Sequence, residues 1–302
     1  MRVFVTGATG FIGSATVREL IDSGHQVVGL ARSDEAAAAL TEAGAEVHRG
    51  SLEDFDSLRS GAAVADGVIH TAYIHDFSQM EKAAQANLSA IETMGAVLEG
   101  SGRPLVVTSG TALVKPGTVV TEEDSPDPGA AFHPRFAAEL ATQAIADRGV
   151  RASIVRPGAS VHGEGDHGFV PYLINVAREK GVSGYIGDGS NRWPAVHRID
   201  TAHLYRLAVE KAPAGSVLHA IGDEGVPTRE IAVIIGRQLG LPVVSISPED
   251  AQAHFDWMAM FWSIDAPASS ALTQMRMGWT PTHLGLIADL ELGHYFRQAV
   301  AA

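Results

Sequence analysis

Thr6-Gly7-Ala8-Thr9-Gly10-Phe11-Ile12-Gly13 decides how this chain is read. The octapeptide ends a run of β-formers at 3–6. It opens a stretch, 11–23, with apolar residues at helical spacing that stops before Gly24. Glycines at 7, 10 and 13 meet three demands: a tight turn, backbone close enough to touch a pyrophosphate, and close helix–strand packing. The phosphates then lie at a helix N-terminus, where free N–H groups and the dipole favour an anion. A strand before and a helix after turn the glycine spacing into a dinucleotide fingerprint. Gly7, Thr9, Gly10, Phe11, Ile12 and Gly13 are therefore the expected cofactor contacts.

Outward from this turn, short apolar runs at 27–30, 47–48, 68–71, 105–108 and 152–155 alternate with helical patterns at 34–43, 79–99 and 135–147. Parallel strands buried on both faces read as such runs. Their alternation with helices implies right-handed crossovers in one sheet. The expected fold is α/β: a doubly wound parallel sheet of the Rossmann type with a smaller, interwoven C-terminal substrate lobe. Residues 1–160, with 195–222, are assigned to the dinucleotide domain. Residues 161–194 and 223–302 are assigned to the lobe. The stretch 255–262 holds two Trp, two Met and two Phe. It reads as a small second core, with a lid as the alternative.

The 302 residues are 46% hydrophobic and 19% charged, which excludes a disordered chain. Lys and Arg number 22 against 35 Asp and Glu, a formal charge of −13, with no basic stripe to hold nucleic acid. No apolar run is long enough for a membrane helix. The opening MRVFVTGATG goes straight into strand and turn, so no signal peptide is read and a cytoplasmic protein is expected. The lack of cysteine excludes disulfides and thiolate chemistry. No His-Glu-x-x-His pair occurs among the 13 histidines, so no metal is expected. The partner expected is a small-molecule substrate, not nucleic acid or membrane.

An acidic residue about 20 positions past the glycines would hold the ribose 2′-hydroxyl of NAD. The second strand instead ends Gly29-Leu30-Ala31-Arg32-Ser33. Arg32 and Ser33 suit a 2′-phosphate. NADP is thus expected over NAD, with Asp34 as the competing ribose ligand.

Further motifs accompany these. They are Gly50-Ser51-Leu52-Glu53-Asp54, His70-Thr71-Ala72, Asn87, Val107-Thr108-Ser109, Val155-Arg156-Pro157-Gly158, the stretch from Gly187-Asp188-Gly189 to Val196-His197-Arg198-Ile199-Asp200, and Met277-Gly278-Trp279-Thr280-Pro281. With them the sequence resembles, over almost its whole length, the extended short-chain dehydrogenase/reductases, the family of NAD-dependent epimerases and dehydratases. The corresponding family segments are TGxxGxxG, GDLxD, HxAA, a helical Asn, a strand ending in the catalytic Ser/Thr, VRPG, GDG…VHVxD and LGWxP. The resemblance implies cofactor contacts from Ser51, Leu52, Thr71, Ala72, Asn87 and Pro157.

It also implies a departure. The family's Tyr-x-x-x-Lys pair passes a proton to the substrate oxygen and holds the nicotinamide ribose. Anchored on Glu139 and Arg156-Pro157, the alignment puts Ala131 at the Tyr position and Arg135 at the Lys position. No Tyr-x-x-x-Lys occurs anywhere in the chain. The chain thus resembles the atypical branch that lacks the tyrosine. Arg135 is left able to hold ribose or a carboxylate. Ser109 and Thr111 are candidates to bond the substrate oxygen, and Tyr73, His75 and His162 to give the proton. Arg192 falls where sugar-nucleotide members grip a pyrophosphate; a structural ion pair is the alternative.

Three functions follow as expectations: an NADP-dependent oxidoreductase acting on a carbonyl or alcohol with a non-standard proton donor; a sugar-nucleotide epimerase or dehydratase; or a non-catalytic NADP-binding sensor. The family's habit of pairing through two long helices implies a homodimer through 79–99 and 135–147. Leu88, Ile91, Leu98, Leu140 and Ile145 are apolar positions that serve either the sheet or a partner.

Overall fold

A computed structural model describes residues 1–75, 79–112, 114–126 and 134–297, apart from the side chains of 134 and 135. Ala131 and the Arg135 side chain, to which the missing Tyr-Lys pair aligns, lie outside the described residues.

The main sheet has seven strands in the order β10-β6-β5-β4-β1-β2-β3, every neighbouring pair parallel. They are β1 (Arg2–Thr6), β2 (Gln26–Ala31), β3 (Glu46–Arg49), β4 (Gly67–His70), β5 (Pro104–Thr108), β6 (Arg151–Pro157) and β10 (Ser216–Ala220). The chain runs outward from β1 to β3, then returns to β4 on the other side. The β1/β4 boundary is therefore the switch point, where α/β sheets bind ligands beyond the carboxyl ends of their strands.

Helices cover both faces. One face packs α1 (Phe11–Asp22), α2 (Asp34–Glu42) and α7 (Arg198–Lys211) through Val17, Leu20, Leu40, Leu204 and Leu207. The other packs α3 (Phe55–Ala63), α4 (Met80–Leu98) and α5 (Pro134–Asp147) through Leu58, Ile91, Met94, Leu98 and Ile145. Local signals start and stop these helices. Ser33 caps α2 by accepting from the Ala36 N–H, and Asp54 caps α3 by accepting from the Ser57 N–H.

A second core lies after Pro157. It joins α6 (Phe169–Lys180), α8 (Thr228–Leu239), α9 (Ala251–Phe255), α10 (Met258–Trp262) and α12 (Leu286–Glu291). A three-stranded sheet, β11 (Asp223–Pro227), β9 (Arg192–His197) and β7 (Ser160–His162), lies beside it. Phe255, Met258 and Trp262 are buried there with Trp193, so the aromatic stretch is core, not lid. Among the described residues no helix is long and apolar enough to cross a membrane.

Candidate functional site

The glycine turn leaves β1 at the switch point. Gly7 has φ +68°, and a Cβ there would stand 2.6 Å from the Ala72 backbone nitrogen. A Cβ on Gly13 would stand 1.9 Å from the Gly7 carbonyl oxygen. The segment after β4 straps this turn from its other side: the Thr71 hydroxyl donates to the Thr6 carbonyl at 2.8 Å. Gly10 precedes α1 with no side-chain cap, and the first turn of α1 has no acidic residue. Its orphan N–H groups and positive dipole end are left for an anion. The geometry of this cradle suits the pyrophosphate of a dinucleotide.

Beyond the tip of β2 stand two oppositely charged side chains. Arg32 is exposed and makes no hydrogen bond or ion pair among the described residues. Asp34 is engaged, because Arg49 donates to its Oδ1 at 2.7 Å and to the Ser33 carbonyl at 2.8 Å. Beyond β3, Ser51 Oγ accepts from the Glu53 N–H, and Leu52 packs on the core.

Asn87 is 3% exposed and bonds His70 Nε2 at 3.0 Å, while His70 Nδ1 meets Thr6 Oγ1 at 2.7 Å. Its amide oxygen ties α4 to β4. Tyr73 is half-buried and His75 exposed, their rings edge-to-face at 5.3 Å. Ser109 follows β5, its N–H donating to the Val155 carbonyl at 2.8 Å, with 7% of the residue accessible. Thr111 is buried, and its N–H and hydroxyl both point at the Pro157 carbonyl, at 3.1 and 3.4 Å. That engagement makes Thr111 a brace between β5 and β6. Arg156 and Glu139, the residues that anchor the alignment, form a bidentate pair at 2.9 and 2.5 Å, almost wholly buried. Arg156 also donates to the Asp124 carbonyl at 2.9 Å.

His162 is completely buried. Its Nδ1–H donates to Asp289 Oδ2 at 2.9 Å, and His294 donates to the other oxygen at 2.9 Å. Burial opposes ionisation of Asp289, but these two bonds outweigh it and hold the carboxyl below its ordinary range. His162 thus has no accessible atom in this arrangement, whereas Ser109 is nearly buried, Tyr73 half-buried and His75 exposed. His162 lies edge-on to His197, which stacks on His283 at 4.6 Å and 7°. His197 Nδ1 accepts from the Ile199 N–H and so caps α7.

Burial, together with the neighbouring His162 and His283, pushes the His197 pKa down to about 4. An unfolded histidine takes its proton near pH 6.5. Between these values the unfolded chain binds more protons, so stability falls as pH drops from about 6.5 to 4. His219 and His254, also held low by burial, act in the same direction. The thermal midpoint should fall across this window, and His197→Asn, which keeps a cap, should flatten the slope. An unchanged slope in that variant would contradict the assignment.

Arg192 is committed. Its Nε and Nη2 meet Asp265 Oδ1 and Oδ2 at 2.9 and 2.8 Å, and its backbone N–H also donates to Oδ1. The sequence could not foresee this partner 73 residues away. It missed Arg198 as well, although a guanidinium where the VHVxD pattern has Val is a signal. Asp289, which holds His162, and Tyr295, which bonds Gly163 and Asp166, carry no sequence signature.

Comparison with known proteins agrees with this architecture. The chain is 52% identical over 300 residues to an uncharacterized protein of Schizosaccharomyces pombe, covering 98% of this chain and all of that one. It is 31% identical over 263 residues to the 2-alkyl-3-oxoalkanoate reductase of Stenotrophomonas maltophilia, covering 81% and 77% of the two chains. The dTDP-glucose 4,6-dehydratase of Streptomyces venezuelae, solved with NAD bound, superposes with a TM-score of 0.76 at 21% identity over 96% of each chain. The profile of the NAD dependent epimerase/dehydratase family matches residues 3–221. By sequence profile, strand order and glycine cradle together, this chain belongs to the NAD dependent epimerase/dehydratase family.

Proposed function

We propose that the chain is an NADP(H)-dependent oxidoreductase acting on the carbonyl or alcohol of a small substrate that carries no nucleotide diphosphate. The observation that carries this reading is the Arg192–Asp265 pair. A guanidinium held by both oxygens of a carboxylate cannot take up a substrate pyrophosphate without losing two charge-assisted bonds. That weighs against a sugar-nucleotide epimerase or dehydratase, as does the lost Tyr-x-x-x-Lys pair. The 31% identical reductase relative supports carbonyl chemistry.

A nicotinamide dinucleotide held at the glycine turn would supply hydride to a carbonyl carbon. The protein's part is to hold that carbon within about 3–3.5 Å of the donor and to meet the growing alkoxide. Ser109 is assigned the hydrogen bond to oxygen, and Tyr73 or His75 the proton. Arg135 is assigned to the nicotinamide ribose, Ser51 and Leu52 to the adenine side, and Thr71, Ala72 and Pro157 to the cleft walls.

NADPH consumption against a panel of carbonyls tests the reading, with UDP- and dTDP-sugars as competitors. Turnover that resists the sugars supports it. Tight nucleotide-sugar binding, or NADPH binding without turnover of any carbonyl, defeats it in favour of an epimerase or a sensor. Selectivity rests on Arg32. A charged hydrogen bond contributes about 1.5–3 kcal/mol, or roughly tenfold or more in affinity. Arg32→Ala should lose that much NADPH affinity and leave NADH nearly unchanged. Equal affinity of the unsubstituted chain for the two would refute the preference.

The same reading includes a homodimer through α4 and α5. Ile91, Leu98 and Ile145 are buried against the sheet, whereas Leu88 is half-buried and Leu140 is 51% exposed, with Ala137 and Ala144 beside it. Sedimentation should give twice 31.7 kDa, and Leu140→Glu should shift it to the monomer. A monomer at micromolar concentration without the substitution contradicts the pairing.

A further inference from the structure

Arg198 lies at the first position of α7, where the family pattern has valine. Its guanidinium carbon stands 5.1 Å from the centre of the Phe11 ring, and Phe11 is the first residue of α1 in the glycine turn. The group is half-buried and forms no hydrogen bond or ion pair among the described residues. His167 meets the same ring edge-to-face at 5.9 Å from the opposite strap of chain. That strap, 163–168, is held in place by Tyr295, whose hydroxyl accepts from the Gly163 N–H at 3.0 Å and donates to Asp166 at 3.0 Å.

A buried or half-buried guanidinium normally finds a carboxylate, and this chain has 35 of them. Arg198 instead rests on an aromatic face, which leaves all five N–H donors unspent. It does so above a helix N-terminus that has neither a side-chain cap nor an acidic residue in its first turn. Two independent features of opposite strands of chain thus favour one kind of ligand at one place: a compact anion with several oxygens. We propose that Arg198 grips the pyrophosphate of the bound dinucleotide from above, opposite the glycine turn, with Phe11 as the platform that orients it.

This inference rests on the dinucleotide reading and adds a contact made equally by NADPH and NADH, since both carry the pyrophosphate. It separates from the Arg32 effect for that reason. The test uses the full chain and titrates NADPH, NADH and adenosine 2′-monophosphate, which has the 2′-phosphate but no pyrophosphate. Arg198→Met keeps an apolar stem over Phe11 while removing the charge. NADPH and NADH should both weaken by about tenfold or more, as expected for one charged hydrogen-bond group, and adenosine 2′-monophosphate should bind as before. Raising ionic strength should weaken dinucleotide binding less in the variant than in the unsubstituted protein.

Unchanged affinity for both dinucleotides overturns the inference and leaves the cofactor reading intact. So does an equal loss for adenosine 2′-monophosphate, which would mark a structural disturbance. A rise in substrate KM with dinucleotide affinity unchanged would assign Arg198 to a substrate anion instead, and overturns it as well. If the unsubstituted chain binds no dinucleotide, the cofactor reading falls and takes this inference with it.

Discussion

A Gly13→Ala chain should fold yet bind neither NADPH nor NADH measurably. The added methyl would stand 1.9 Å from the Gly7 carbonyl oxygen, deep inside contact distance, so helix α1 and the turn must separate. The peptide N–H groups that converge on the phosphates then no longer converge. Neighbouring glycines give a graded control. At Gly7 the substitution meets both a backbone nitrogen at 2.6 Å and a φ of +68°, and should be nearly as severe. At Gly10 the nearest atom is 3.2 Å away and φ is −73°, so alanine there should cost much less. Titration of the three variants, each with a thermal melt to establish folding, decides the matter. Equal affinities for Gly10→Ala and Gly13→Ala would disprove the cradle.

Ser109→Ala should slow carbonyl reduction by about 10²–10³, the usual loss when one preorganised donor to an oxyanion is removed. It should do so without moving NADPH affinity. Ser109 sits at the carboxyl end of a central strand, fixed by its N–H bond to Val155 and almost closed off from water. A donor held in such a place is not reoriented when charge develops. Arg135→Ala should disturb turnover less, because an arginine titrates too high to share protons near neutrality. The pH profile then tests the proton donor. Imidazoles and phenols ordinarily lose their protons several pH units apart, so the position of the fall in rate separates a histidine donor from a tyrosine donor. Full activity in Ser109→Ala would remove the residue from the site.

The sheet was legible because its strands are short apolar runs, and burial on both faces demands such runs. The three-stranded sheet was not. β11 reads Asp-Glu-Gly-Val-Pro and β9 contains Arg, Pro and His, compositions that favour loops; tertiary pairing overrides them. The glycine turn was legible because its geometry admits so few residues. The fates of His162 and Arg192 were not, because each is set by a carboxylate far along the chain, 127 and 73 residues away. Sequence spacing carries no trace of such meetings. The hydrogen bond between Asn87 and His70, which joins helix to strand, left no trace in the sequence either.

The order in which β10 joins the main sheet bears on how the protein is made. β6 ends at Pro157, but its outer neighbour begins only at Ser216, after the chain has built β7, α6, β8 (Ser183–Ile186), β9 and α7. At ~5–20 residues per second, a ribosome takes roughly 3–12 s to deliver that stretch. Throughout that interval the nascent sheet presents β6 as an open edge, with backbone donors and acceptors unpaired beside the apolar residues Ile154 and Val155. For β6 the vulnerable period is therefore the synthesis of the chain. Slow codons between 158 and 215 would lengthen this exposure of β6, which ends once β10 pairs with it.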